Sequence, residues 1–286
     1  MKLFKAIRYD LRFGILESMK KYLFAVLLAA FIFAGLIVEA RSLSLMLTDS
    51  PYNVFKLPIS FADVVLIELR TSLPAVQKAV GITGFTFPTM WFLLNIIPCY
   101  LTLDYATRDL GGGGIQVITR LHSKSRWWIS KCVLSIAAVC VYYIIIYAVL
   151  ALLCLAFGFD LSLIPDETIF ATQFSAKFIS AEVTSLQMFS ALCLMPCIIS
   201  AVLCLVQMTL TLFMKPVFAY MIICAYLAAA VLCVSPLFIA NYAMPLRSAA
   251  IGVYNFDFAS GLLCSAAVAL ADIIIGRFRI VKMDIL

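Results

Sequence analysis

Six long stretches almost free of charge dominate this chain: residues 22–38, 82–103, 132–159, 183–214, 216–246 and 258–276. A bilayer's hydrocarbon core, roughly 30 Å thick, takes about 20 apolar residues of helix. The first run is slightly short. The third to fifth are long enough to tilt or to carry their ends into the interface. Hydrophobic residues make up 65% of the 286 and charged residues 13%, whereas a soluble domain has roughly 45–50% and about 25%. A single soluble core cannot hide that much hydrocarbon. The expected fold is therefore an all-α integral membrane protein with six transmembrane helices, at 22–38, 82–103, 132–159, 186–214, 217–236 and 258–276.

The connections give the topology. Only Lys215, followed by the helix-breaking Pro216, separates the fourth and fifth runs, which predicts a tight hairpin. Alternate connections collect fifteen Lys and Arg on one side of the membrane and six on the other. The positive-inside rule then places both termini in the cytoplasm. Residues 1–21 read as an amphipathic helix on the inner leaflet rather than a signal peptide. Phe4, Ile7, Leu11 and Ile15 share one face, and Lys2, Lys5, Arg8, Arg12 and Lys20 lie opposite. Segments 39–81 and 160–185 are outer loops, the first with a possible helix over 63–80 interrupted at Pro74. Residues 277–286 form a cytoplasmic tail.

Several functions lose support. The net charge of +6 comes from basic residues beside apolar runs, so they act as anchors facing anionic lipid, and no nucleic-acid-binding module is present. All ten cysteines lie in or beside apolar runs and read as small buried thiols rather than disulfides or metal ligands. Cys193 and Cys197 are one helical turn apart but have no His or carboxylate nearby, so no metal site is expected. His122 is the lone histidine, and there is no His-Glu-x-x-His or Gly-x-Ser-x-Gly motif. No catalytic residue is therefore assigned. Asp104 and Asp272 read as helix-end carboxylates within reach of Arg108 and Arg277, leaving no obvious intramembrane proton relay. The run Gly111 to Gly114 lacks the Gly-Lys-Ser/Thr ending of a phosphate loop, so the chain binds no nucleotide of its own.

The most informative connection is 104–131, DYATRDLGGGGIQVITRLHSKSRWWISK. Its piece 115–121 allows about two helical turns with Ile115, Ile118 and Leu121 on one edge. Trp127 and Trp128 are expected at the membrane interface, where indoles prefer to sit. An acidic and basic stretch (Arg108, Asp109), glycine (Gly113 or Gly114), a short amphipathic helix (Ile115, Gln116, Ile118, Arg120), then Ser123, Arg126 and Lys131 before the next span resembles the ABC-2 type transporter permeases. The basic helix with Lys5, Arg8 and Arg12 looks like that family's elbow helix. Residues 237–257, carrying Asn241, Pro245 and Gly252, look like its external re-entrant half-helices.

The resemblance implies a type V exporter-like architecture in a bacterial cytoplasmic membrane. It also implies pairing with a second permease copy or similar subunit, and a separate cytoplasmic ABC ATPase that binds ATP and Mg. The 104–131 segment would then couple ATP hydrolysis to the membrane helices. Span 82–103 is the most polar, with Thr86, Thr89, Asn95 and Thr102 as candidates for a translocation path and Pro88 and Pro98 as kinks. Asn95 is equally suited to a helix–helix hydrogen bond. The expected function is export of an amphipathic peptide, antibiotic or lipid-like substrate. The alternative is a non-transport membrane protein serving immunity, sensing or assembly.

Overall fold

The computed structural model describes residues 2–15, 19–46, 59–69, 87–110, 118–119, 123–166, 183–249, 251 and 256–283. These are helical almost throughout, and among them the only strand-like pairings are two isolated bridges. We number the helices α1 (Lys2–Asp10), α2 (Met19–Met46), α3 (Phe61–Glu68), α4 (Thr89–Thr102), α5 (Tyr105–Leu110), α6 (Lys124–Ala156), α7 (Ser185–Leu210), α8 (Pro216–Leu232) and α9 (Phe258–Lys282). A π turn, Leu11–Ile15, extends α1, and two 3-10 turns, Ile239–Ala243 and Pro245–Arg247, precede α9. Among the described residues α6, α7 and α9 are long and apolar enough to cross a membrane, and α8 is a shorter apolar helix.

The arrangement follows from where apolar surface is hidden. Helix α7 is buried along 67% of its apolar stretch, against 28% for α6 and 17% for α9, so it is the hub on which the others pack. The outer helices keep large apolar side chains on the surface, among them Ile144 (66% exposed) and Leu263 (72% exposed). Water would penalise such continuous apolar faces and lipid does not. This is a membrane-embedded protein.

Proline explains the irregularity in the hub. Pro196 has no N–H for the carbonyl of Leu192 four residues earlier, and the helix widens into a π turn over Ser190–Leu194. The Tyr147 hydroxyl of α6 donates to that Leu192 carbonyl at 2.9 Å. An acceptor that would be costly to strand in hydrocarbon is thus satisfied by a neighbour.

Several helix ends differ from the apolar runs. Helix α6 starts at Lys124, eight residues before its run, because Ser123 caps it by accepting from the Arg126 N–H. Hydropathy discounts that first turn for its charges, although Lys, Ser and Arg are all tolerated in helices. Helix α2 extends past residue 38 to Met46, and α9 continues through Arg277 and Arg279 to Lys282. Where two external half-helices were expected, the described residues hold short buried 3-10 turns. Between α2 and α4 a helix starts at Phe61 and ends at Glu68, and residues 70–80 of the helix expected over 63–80 lie outside the described residues.

Apart from Asp63, the residues 61–67 of helix α3 are apolar, and all seven are buried, as expected of a helix without a solvent face. Ser60 and Asp63 cap it reciprocally. Its start pairs with the strand-like segment after α6, through Phe61 N–H to the Asp160 carbonyl (2.8 Å) and Asp160 N–H to the Ile59 carbonyl (3.1 Å).

Candidate functional site

Among the described residues the strongest concentration of charge chemistry lies at the head of α6. Trp127, Ser130 and Lys131 share one face there, at the three- and four-residue spacing that aligns side chains on a helix. Lys131 is 1% exposed, and its Nζ lies 2.8 Å from Asp10 Oδ1 and 2.8 Å from Asp109 Oδ2. Ser130 Oγ donates to Asp10 Oδ2 at 2.6 Å, and Trp127 Nε1 donates to Asp109 Oδ2 at 3.0 Å. The ammonium also sits 4.8 Å from the Tyr105 ring centre and 5.5 Å from that of Trp127, within cation–π range.

Three separate elements thereby meet on one ammonium: the end of α1, the end of α5 and the head of α6. Asp10 is the last residue of α1 before the π turn Leu11–Ile15 carries the helical chain on. Its buried carboxylate is held by two tertiary partners, Lys131 and Ser130. The contact is close because Gly14, in the π turn after Asp10, carries no side chain. A Cβ there would lie 2.8 Å from the Tyr105 hydroxyl and 2.9 Å from Leu134. A small cavity bounded by Lys21, Tyr105, Lys131 and Ser135 adjoins the ion pairs.

The two tryptophans correct the expectation of an interfacial pair. Both are fully buried. Trp128 donates from Nε1 to the Ile273 carbonyl (3.1 Å), with its ring on Gly276 of α9. With Ala106, Leu205, Met208, Leu212 and Ile280 they form a second, smaller apolar core, and Ile118 packs against it. Lys124 Nζ donates to the Met283 carbonyl at 2.5 Å, joining the end of α9 to the same assembly.

Of the coupling candidates, Asp109 and Lys131 meet in this node. Ser123 caps α6, and Arg126 points outward in its first turn. Arg108 belongs to α5 and Lys5 to α1, although their side chains lie outside the described set, while Arg8 and Arg12 are exposed. Ile115, Gln116 and Arg120 lie outside the described residues, as does Thr86. Asp10 was missed. Its sequence signal is an acidic residue in the middle of the mainly basic amphipathic stretch 1–21.

The α4 candidates do not converge. Thr89 is exposed and donates to the Phe87 carbonyl, and Thr102 donates back to Pro98 (3.0 Å) in its own helix. Asn95 is fully buried, where its Nδ2 donates to the Trp91 carbonyl (2.8 Å) and its Oδ1 accepts from Ser200 Oγ (2.8 Å). Because the Ser200 hydrogen is used there, Tyr143 donates to Ser200 at 2.7 Å. Trp91 Nε1 donates to the Ala243 carbonyl at 3.0 Å, tying α4 to the 3-10 turns. One turn below, the thiols of Cys99 and Cys204 lie 3.6 Å apart, and Gln207 donates to the Cys99 carbonyl. Asn95 therefore works as a helix–helix hydrogen bond in the described fold.

Asp272 accepts from Thr209 at 2.7 Å in the α7–α9 contact rather than reaching Arg277. At the opposite end of the bundle Arg247 is fully buried. It donates to the carbonyls of Ala230 and Val231 (each 2.9 Å) and to Asn241. Its guanidinium thus covers the carbonyl end of α8, where the dipole favours a cation.

The fold and its sites define an all-helical, membrane-embedded protein with a buried charge node joining its N-terminal amphipathic helix to the body. The model of the family described as "Protein of unknown function (DUF2705)" matches residues 43–286, and the chain belongs to that family. No curated protein and no solved structure matches it.

Proposed function

We propose that the chain is the membrane-spanning permease subunit of an ATP-driven transporter of the ABC-2 type. In this reading six helices span a bacterial cytoplasmic membrane with both termini inside, α2, α4, α6, α7, α8 and α9. Helix α1 rides the inner leaflet. A second permease copy or similar subunit completes the pathway, and a separate ATPase binds ATP and Mg. The substrate class is an amphipathic peptide, antibiotic or lipid-like molecule.

The observation that carries the reading is the Lys131 node. A permease driven from below needs a stiff connection between the segment that receives force and the helices that must move. Lys131 holds the end of α5 and the end of α1 to the head of α6 through two ion pairs at 2.8 Å. A push on the connection after α4 would therefore reach α1 and α6 together. Ile118, in that connection, packs on the small core that includes Trp127, Trp128 and Ile280, which gives the segment a second, apolar grip.

The test is co-purification followed by transport. Mild solubilisation of the tagged protein should bring down a cytoplasmic ATPase. In vesicles holding both proteins, reversing the charges of Arg120 and Arg126 should leave ATP hydrolysis running while abolishing flux. Recovery without any ATPase, together with function independent of ATP, would overturn the proposal in favour of a sensor, immunity protein or assembly scaffold.

A further inference from the structure

Ser135 stands one turn beyond Lys131 on the same face of α6. It is buried, and among the described residues its hydroxyl has no hydrogen-bond partner. A serine inside a helix ordinarily relieves such a hydroxyl by donating to the carbonyl four residues back, as Ser265 does to Gly261 at 2.7 Å. Ser135 does not use the Lys131 carbonyl in this way. It borders the small cavity beside the ion pairs, together with Lys21, Thr102, Tyr105, Lys131 and Met208. Stranding a hydroxyl in an apolar bundle is costly, so Ser135 calls for a partner within that cavity.

The walls and the size of the cavity select the occupant. Lys131 offers three N–H donors. Carboxylate oxygens of Asp10 and Asp109 lie 2.8 Å from its nitrogen, which leaves one donor over. The Thr102 hydroxyl gives its hydrogen to the Pro98 carbonyl at 3.0 Å and keeps lone pairs that can accept. A water molecule that accepts from Lys131, donates to Thr102 and bonds Ser135 makes about three hydrogen bonds, the number typical of buried water. The cavity measures about 30 Å³, against the roughly 10–15 Å³ that one water needs on the same measure. A third anion on an ammonium already shared by two carboxylates would be repelled, and a metal cation would meet the Lys131 charge. We propose that the cavity is a hydration site, in which ordered water joins Lys131 and Ser135 of α6 to Thr102, the last residue of α4. The site belongs to the folded body whether or not the chain transports anything, so its failure would leave the proposed function standing.

The test is hydroxyl-radical footprinting by X-ray radiolysis of the full chain in nanodiscs, in which radicals born from bound water oxidise the side chains around it. Met208 borders the cavity, whereas Met195, on the same helix, packs near Gly261 of α9. Exposure alone, 5% against 2%, would make Met208 oxidise about 2.5 times faster than Met195. Bound water beside Met208 should raise that ratio to the order of tenfold. A ratio that stays at the exposure value in the unmodified protein would overturn the proposal. Ser135→Leu fills the cavity with hydrocarbon and should return the ratio to the exposure value while leaving Met195 unchanged; a ratio that stays high would count equally against the site. Replacing chloride with gluconate in the buffer should alter neither rate, and a Met208 rate that follows chloride would overturn water in favour of an anion.

Discussion

Replacing Lys131 with methionine keeps the length of the side chain and removes its charge, leaving Asp10 and Asp109 facing each other without their shared cation. Removing one partner of a buried pair costs about 3–5 kcal/mol, because the remaining charge stays desolvated. The two carboxylates should share that loss unequally. The Asp10 side chain is 4% exposed and the Asp109 side chain 25%, so Asp109 can turn to water and Asp10 cannot. Double-mutant cycles with Asp10→Asn and Asp109→Asn should return coupling of about 3 kcal/mol for Lys131 with Asp10 and about 1 kcal/mol with Asp109. The readout is amide hydrogen exchange in nanodiscs over 2–15, which reports local opening of α1. A loss of 3 kcal/mol should speed exchange there about 100-fold, with little change in α7. Combining Lys131→Met with Asp10→Leu should recover most of the protection, since an apolar pair of matched volume can replace a buried ion pair. Coupling below about 0.5 kcal/mol, the scale of additivity error, would refute the argument. So would unchanged exchange in the single variant.

Three further outcomes are expected. Gly276→Ala should lower thermal stability although alanine is the better helix former by about 1 kcal/mol, because its Cβ would lie 2.1 Å from the Trp128 ring; a raised melting temperature would contradict that packing. Tyr147→Phe should cost about 1–3 kcal/mol by stranding the Leu192 carbonyl, and adding Pro196→Ala, which restores a backbone donor, should return stability in the same melt; no recovery would sink the account of the π turn. Burial pushes the Asp63 carboxyl above its ordinary range against the donors of Ser60 and Asp166. A folded value raised in this way gives stability that is complete below the unfolded value, about 4, and is lost as pH rises through the folded one. Exchange protection of α3, corrected for intrinsic rates, should therefore grow on acidification from neutral pH and become flat in Asp63→Asn; a wild-type profile that falls on acidification would reverse the sign of the argument.

What could be read in advance divides by distance along the chain. The all-helical, membrane-embedded character is written in runs of apolar residues, which any local window detects. The early start of α6 was also local, in Ser123 followed by residues tolerant of helix, but hydropathy alone passes over a charged first turn. The node was half legible. Asp109 and Lys131 stand in one connection, whereas Asp10 is 121 residues from Lys131 and nothing nearby announces the pairing. Trp127 and Trp128 misled for a related reason. An indole's preference for the interface is a statement about lipid and water, and the bundle supplied a third environment that composition does not reveal. Likewise the choice between a pathway and a helix contact at Asn95 rests on Ser200, a residue of another helix.

The separation between Asp10 and Lys131 has a consequence for biogenesis. A ribosome adding about 5–20 residues per second needs roughly 6–24 seconds to cover it. Throughout that interval Asp10 of the nascent N-terminal helix lacks the counter-ion that it has in the folded chain. Seating of the first helix is thus timed by the arrival of α6, so a stalled or truncated chain would keep Asp10 exposed to quality-control proteases.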